Sequence, residues 1–276
     1  MNILDRINFF IQLFLDALRQ LFSGRIWAPL VLYAALQWLV LYAHYQFNDP
    51  NLFGVMSFWT DFVRADYATA FTHYPQHFVL LGYYYGWAKM LIGLPLEGLI
   101  LGLVARRFYF RYTGEWPQNR LSFGTWINLI LIWVVMTALL TAAGQFLPTA
   151  LSSLIDSPRR MLAFAFVVVP ALYSFIVALF YLAIPMLAIG RMNFLTAISR
   201  SLKGFIRRPI MFFSLAGVSL AGPLLVGALT SQPSKIVDGF KPELVYWLIA
   251  ASLVLEAIAY FFWMGTAVRY LDRTGE

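Results

Sequence analysis

The sequence contains no cysteine, which removes disulfides, thiolate metal ligands and thiol nucleophiles from consideration. It is also poor in charge: 12% of its 276 residues are Asp, Glu, Lys or Arg, where soluble domains carry about 25%. The signatures of several enzyme classes are missing too. No P-loop, His-Glu-x-x-His, Ser-x-x-Lys or paired-aspartate motif can be read. Hydrolysis has no obvious nucleophile or base, so the expectation is a non-enzymatic protein with no cofactor and no bound metal.

What is abundant is apolar. Hydrophobic residues make up 61% of the chain and aromatics 18%, with a mean hydropathy of +0.71. Apolar segments recur throughout and leave no room for a separate soluble domain. The expected fold is an all-α integral membrane protein of one membrane domain, with six transmembrane helices near residues 27–47, 78–105, 121–146, 161–189, 210–230 and 243–268. Each is close to or above the ~20 residues that a bilayer requires. An Asp156-Ser157-Pro158 turn separates the third from the fourth, and Pro170 and Pro185 in the fourth predict a tilt or kink. The first residues do not read as a cleavable signal peptide, because Asp5, Arg6, Asp16 and Arg19 are spread through the apolar pattern.

Two segments outside the spans are amphipathic. In residues 2–22, Ile3, Ile7, Phe10, Ile11, Phe14, Leu18 and Leu21 share a helical face opposite Asp5, Gln12, Asp16 and Arg19. That pattern predicts an N-terminal interfacial helix, or a helix packed on the protein's own cytosolic face. In the outer loop after the first span, Leu52, Met56, Trp59, Phe62 and Val63 share a face, which predicts a short helix lying on the surface.

The strongest basic segment is residues 191–209, with Arg191, Arg200, Lys203, Arg207 and Arg208 and no acid. Read as a helix, Leu195, Ile198, Leu202, Phe205 and Ile206 fall on one face, and Arg200, Lys203 and Arg207 on another. With both termini inside, 14 of the 20 basic residues fall in inner segments and 5 in outer loops, with Lys89 inside a span. The asymmetry places both ends in the cytoplasm. The net charge of +7 is therefore topogenic and does not indicate nucleic acid. The expected location is the bacterial inner membrane, as a multi-pass protein. Arg200, Lys203, Arg207 and Arg208 are the candidate contacts to anionic lipids or a protein partner.

The costly residues are those inside spans. An ionisable side chain at the bilayer centre costs about 2.5–3.5 kcal/mol on insertion scales, so it usually has a partner or a wet cavity. Lys89 and Glu256 lie at nearly equal depth from the outer ends of the second and sixth spans, which predicts that they meet. Glu97, beside Pro95, is about 12 Å nearer the cytoplasm along the same helix. The three could serve a small transporter or channel, or only fix packing. Gly82-x-x-x-Gly86 and Gly98-x-x-x-Gly102 permit close helix approach, within the chain or in a homodimer. His73 and His77 have metal-ligand spacing, but Pro75 lies between them and favours plain polar contacts.

The stretch Tyr-Leu-Ala-Ile-Pro-Met-Leu-Ala-Ile-Gly (181–190), then Ala-Ile-Ser-Arg-Ser-Leu-Lys (197–203) and Arg-Arg-Pro (207–209), resembles the YciC-like bacterial six-span membrane proteins. It is also similar to the membrane domain that precedes some glycerophosphodiester phosphodiesterases. The match rests on Pro185, Ala197, Ser201 and Leu202 with their basic neighbours, about thirty residues. The resemblance implies a helical membrane fold and carries no catalytic residue, because the phosphodiesterase site belongs to a soluble domain. A structural subunit of a larger membrane complex is a further reading of the high aromatic content and the long outer loop.

Overall fold

The computed structural model describes residues 3–117, 119–151, 157–190 and 192–275. Arg191 of the basic segment and Asp156 of the turn before the fourth span lie outside the described residues. All regular structure among them is helical. Six helical segments are long and apolar enough to cross a membrane: Gly24–Tyr45, Gln76–Thr113, Phe123–Ala150, Arg159–Ile189, Pro209–Leu229 and Leu244–Thr274. The chain is a multi-pass membrane protein.

In order, the helices are α1 (Ile3–Leu18), α2 (Gly24–Tyr45), α3 (Pro50–Arg64), α4 (Ala68–Phe71), α5 (Gln76–Thr113), α6 (Phe123–Ala150), α7 (Pro158–Ala163), α8 (Val169–Leu179), α9 (Ala183–Ile189), α10 (Phe194–Arg207), α11 (Pro209–Leu229), α12 (Pro233–Gly239) and α13 (Leu244–Thr274). Starts are marked by side-chain caps: Asp49, Ser122, Ser157 and Asn193 each accept from a backbone N–H of the following turn. The fourth span is not one regular helix. A π-helical turn, Phe164–Val168, joins α7 to α8, and the chain breaks at residues 180–182 before α9. Pro185 thus sits in the first turn of α9, where a missing N–H costs nothing.

The chain divides into two compact units. Unit 1 comprises Met1–Val31, Leu94–Ala221 and Ala257–Glu276; unit 2 comprises Leu32–Gly93 and Gly222–Glu256.

Unit 1 is built on close approach and paired polar groups. A Cβ on Gly98 would lie 2.8 Å from the Leu129 carbonyl oxygen, and one on Gly102 would lie 2.9 Å from the Leu129 side chain. The Gly98/Gly102 pair therefore serves packing of α5 on α6 within the chain. Gly265 likewise meets Ala17 and Phe108. The Tyr181 hydroxyl lies 2.6 Å from Thr266 Oγ1 and 3.4 Å from Ser219 Oγ. Trp263 Nε1 donates to the Tyr181 carbonyl at 3.0 Å. Pro185 cannot bond that carbonyl as an ordinary residue four positions on would, so the indole takes its place.

Unit 2 has two apolar clusters. Leu41, Phe78, Leu81, Tyr85, Val245, Tyr246, Ile249 and Leu253 form one with Val237. Phe47, Met56, Phe71 and Tyr84 form the other, with Trp59 and Val63 packed against it. Of the second glycine pair, Gly82 makes ordinary contact with Ile249 and Gly86 faces open space.

Candidate functional site

Within unit 2, α5 and α13 bring Lys89 and Glu256 together. Lys89 Nζ donates to Glu256 Oε1 at 2.6 Å and Oε2 at 2.7 Å. The side chains are 23% and 21% exposed, so the pair is enclosed but not sealed. Both lie within the long apolar helices, where a lone charge would be expensive, and the two-oxygen geometry spreads one ammonium over the whole carboxylate.

Glu97 belongs to unit 1 and is buried. It accepts a long hydrogen bond from the Tyr260 hydroxyl, 3.4 Å. Beside it, the Pro95 carbonyl accepts from Trp126 Nε1 at 2.9 Å. His73 and His77 diverge as the intervening proline predicts: His73 is exposed, while His77 is buried, stacked on Phe47 and tilted against Phe71. No group of three or more His, Cys, Asp or Glu able to hold a metal occurs among the described residues.

Helix α10 carries the basic cluster, and it packs through a face that the sequence reading did not single out. The fully buried face is made of small residues, Ala197, Ser201 and Gly204, while Ile198, Leu202 and Phe205 of the large apolar face are half-buried. Leu195 and Ile206 are 72% and 74% exposed, with Ile210 just beyond them equally open. At 100° per residue the circumference reads small and packed, then apolar, then basic with Arg200, Lys203 and Arg207, all exposed. Small residues let the helix approach the break at residues 180–182. There Ser201 Oγ donates to the Leu179 carbonyl at 2.7 Å and accepts from Leu182 N–H at 3.2 Å. One hydroxyl satisfies two backbone groups that the broken helix leaves open. Arg208 lies over the Tyr270 ring at 5.6 Å.

The second span, expected to end near residue 105, belongs to a helix that runs on to Thr113 and carries Arg106, Arg107 and Arg111. Arg106 and Arg107 are tied to backbone carbonyls, and Arg111 donates to the Ser23 hydroxyl at 3.1 Å. Arg106 donates to Asn119 and, at 3.0 Å, to Ala188, and Arg107 donates to the Arg25 carbonyl. Asn119 Nδ2 bonds the Leu187 and Gly190 carbonyls, so Arg106 and Asn119 together close the end of α9.

In α1 the side bearing Asp16 is the one that packs. Asp16 bonds Arg269 at 2.8 Å, Arg273 at 2.7 Å and Arg19 at 3.2 Å, with Leu13 and Ala17 buried beside it. Leu4, Ile7, Ile11, Leu15 and Leu18 form an exposed apolar stripe on the other side. A soluble helix would bury that stripe; a helix at a lipid surface leaves it outward.

Sequence reasoning missed three of these groups. Ser201 stands in the sequence as part of a motif with no task of its own. Asp16 reads there as one residue of a solvated face. Gln37, the one amide in the first span, fully buried with its Nε2 donating to the Tyr33 hydroxyl at 2.8 Å, draws no notice in the sequence, although a polar residue in that position is the available signal. Comparison with protein-family models, curated proteins and solved structures gave no match.

Proposed function

We propose that the chain is a non-enzymatic protein of the bacterial inner membrane, with both ends cytoplasmic, that holds anionic lipid headgroups on α10. One observation carries the reading: α10 exposes Leu195 and Ile206 beside Arg200, Lys203 and Arg207 while its third face is packed. A helix so held presents acyl-compatible surface and cationic surface at one boundary. The exposed stripe of α1 supports the same placement, as does the distribution of basic residues along the sequence.

Each cation near an anionic surface contributes about 1 kcal/mol, so the three together contribute about 3 kcal/mol, roughly two decades in affinity. The test is native mass spectrometry of the protein released from mixed-lipid nanodiscs. The wild type should retain phosphatidylglycerol or cardiolipin, and the Arg200→Gln/Lys203→Gln/Arg207→Gln variant should lose it. Equal retention by a variant of unchanged topology refutes the reading. Loss of an acidic co-purifying protein instead would assign the face to a partner subunit. Because the chain lacks cysteine, a single Lys203→Cys label reports the side of the membrane directly.

A second reading is favoured by the incomplete enclosure of Lys89 and Glu256. A paired, partly accessible charge inside a span is the form that ion and proton relays take. Ion-flux measurements on proteoliposomes of wild type and Glu256→Gln decide it.

A further inference from the structure

Buried polar groups are treated differently in the two units. In unit 1, among the described residues, every buried side-chain nitrogen and oxygen has a hydrogen-bond partner. In unit 2, Gln37 Oε1, His44 Nε2 and Trp59 Nε1 have none. Gln37 is fully buried and His44 is 3% exposed. They stand seven residues apart on α2, on the same face, with fully buried Leu41 between them.

The chemistry of these atoms is complementary. His44 Nδ1 lies 2.7 Å from the Val40 carbonyl oxygen. A carbonyl can only accept, so Nδ1 carries the hydrogen, and Nε2 of the neutral ring is an acceptor. Trp59 Nε1 can only donate. Its ring stands perpendicular to the imidazole, with centroids 6.5 Å apart, and the two do not bond directly. The Tyr85 ring approaches His44 from α5, at 6.1 Å. One water accepting from Trp59 and donating to His44 closes both groups, and two partners lie within the range that buried waters make. Gln37 Oε1 lies about 10 Å further along α2 and is an acceptor. Its amide nitrogen is already committed to the Tyr33 hydroxyl at 2.8 Å, and a single remaining acceptor is fewer contacts than a buried water holds, so the water is placed at His44 and Trp59.

We propose that unit 2 binds an ordered water between the last turn of α2 and α3, at His44 and Trp59. The ligand is water because the site offers two single-atom contacts, one donor and one acceptor, near apolar Leu41, with no charge to hold an ion. The Lys89–Glu256 pair belongs to the same unit. The ion pair therefore shares its unit with a site that admits water. The inference is independent of the lipid reading and bears on the second reading, which requires water near the pair.

Radiolytic hydroxyl-radical footprinting of the full chain in nanodiscs tests it, since radicals formed from bound water oxidise side chains that bulk solvent does not reach. Leu41 and Leu187 are both fully buried, of one residue type, and lie in different units. The expected result is oxidation of Leu41 several-fold faster than Leu187, with His44 also modified. Equal, background rates for both leucines, with His44 unmodified, overturn the proposal. His44→Phe removes the acceptor and should bring Leu41 down to the Leu187 rate; a rate that stays high with the variant folded places the water elsewhere and overturns the His44 site. If that variant does not fold, the wild-type comparison of the two leucines decides alone. Retention of lipid on α10 is read separately, so the two ideas can fail independently.

Discussion

Consider removing one member of the Lys89–Glu256 pair. At 2.6 Å and an effective dielectric near 20, Coulomb attraction amounts to about 6 kcal/mol. Desolvation of two ions offsets several kcal/mol per ion, so the pair as a whole stabilises little over an apolar replacement. The asymmetry is what matters. Lys89→Met leaves a carboxylate within a span, at a cost of about 3 kcal/mol or, equivalently, a shift of about 150-fold in the unfolding equilibrium. Glu256→Leu strands the ammonium at a similar cost. Lys89→Met/Glu256→Leu removes both charges and should recover most of the loss, so that two single losses of about 3 kcal/mol against a small residual give a coupling energy of about 4–6 kcal/mol. The partial exposure of both side chains, 23% and 21%, puts the expectation toward the lower end. Reversible unfolding in bicelles, monitored by steric trapping, measures all four corners of the cycle. If the single losses add in the double variant, with coupling below about 0.5 kcal/mol, the charges do not depend on one another and the reasoning fails.

Two other predictions concern unit 1. Ser201→Ala removes the group that serves Leu179 and Leu182, and should cost about 1–3 kcal/mol through unsatisfied backbone; thermal unfolding in detergent is the measurement, and an unchanged midpoint refutes it. Gly98→Ala sets a methyl 2.8 Å from the Leu129 backbone oxygen, which cannot yield as a side chain could. It should lower the midpoint by an overpacking cost of about 1–3 kcal/mol, while Gly54→Ala, with nothing within 4 Å, should lack that effect.

The six apolar helices were legible because length and hydropathy suffice for them. Lys89 and Glu256 were legible for a related reason: two helices running the same way, with charges at nearly equal counts from their N-terminal ends, bring those charges to one level. The packed face of α10 was not. Hydrophobic periodicity identifies a buried face in water, but lipid accepts large apolar residues as readily as a protein core does. The signal was the row of small residues, Ala197, Ser201 and Gly204, which periodicity ignores. The break at residues 180–182 was hidden because its compensation lies elsewhere in the chain, in Ser201 and Trp263. The run of α5 past Arg106 and Arg107 was hidden likewise, since a charge ends a span without ending a helix. Asp16 misled through its neighbours: its partners Arg269 and Arg273 lie more than 250 residues away.

Arg106 bears on how freely this sequence can vary. Orientation in a membrane counts positive charges and is indifferent to whether lysine or arginine supplies them. Closing the end of α9 is not indifferent: the Arg106 Nη1 group reaches the Asn119 and Ala188 carbonyls together, from the tip of a side chain one bond longer than that of lysine. All four basic residues between positions 106 and 120 are arginine. On the orientation proposed above, that short segment carries two messages in one alphabet. The topological message survives any exchange of arginine for lysine, and at Arg106 the structural one does not.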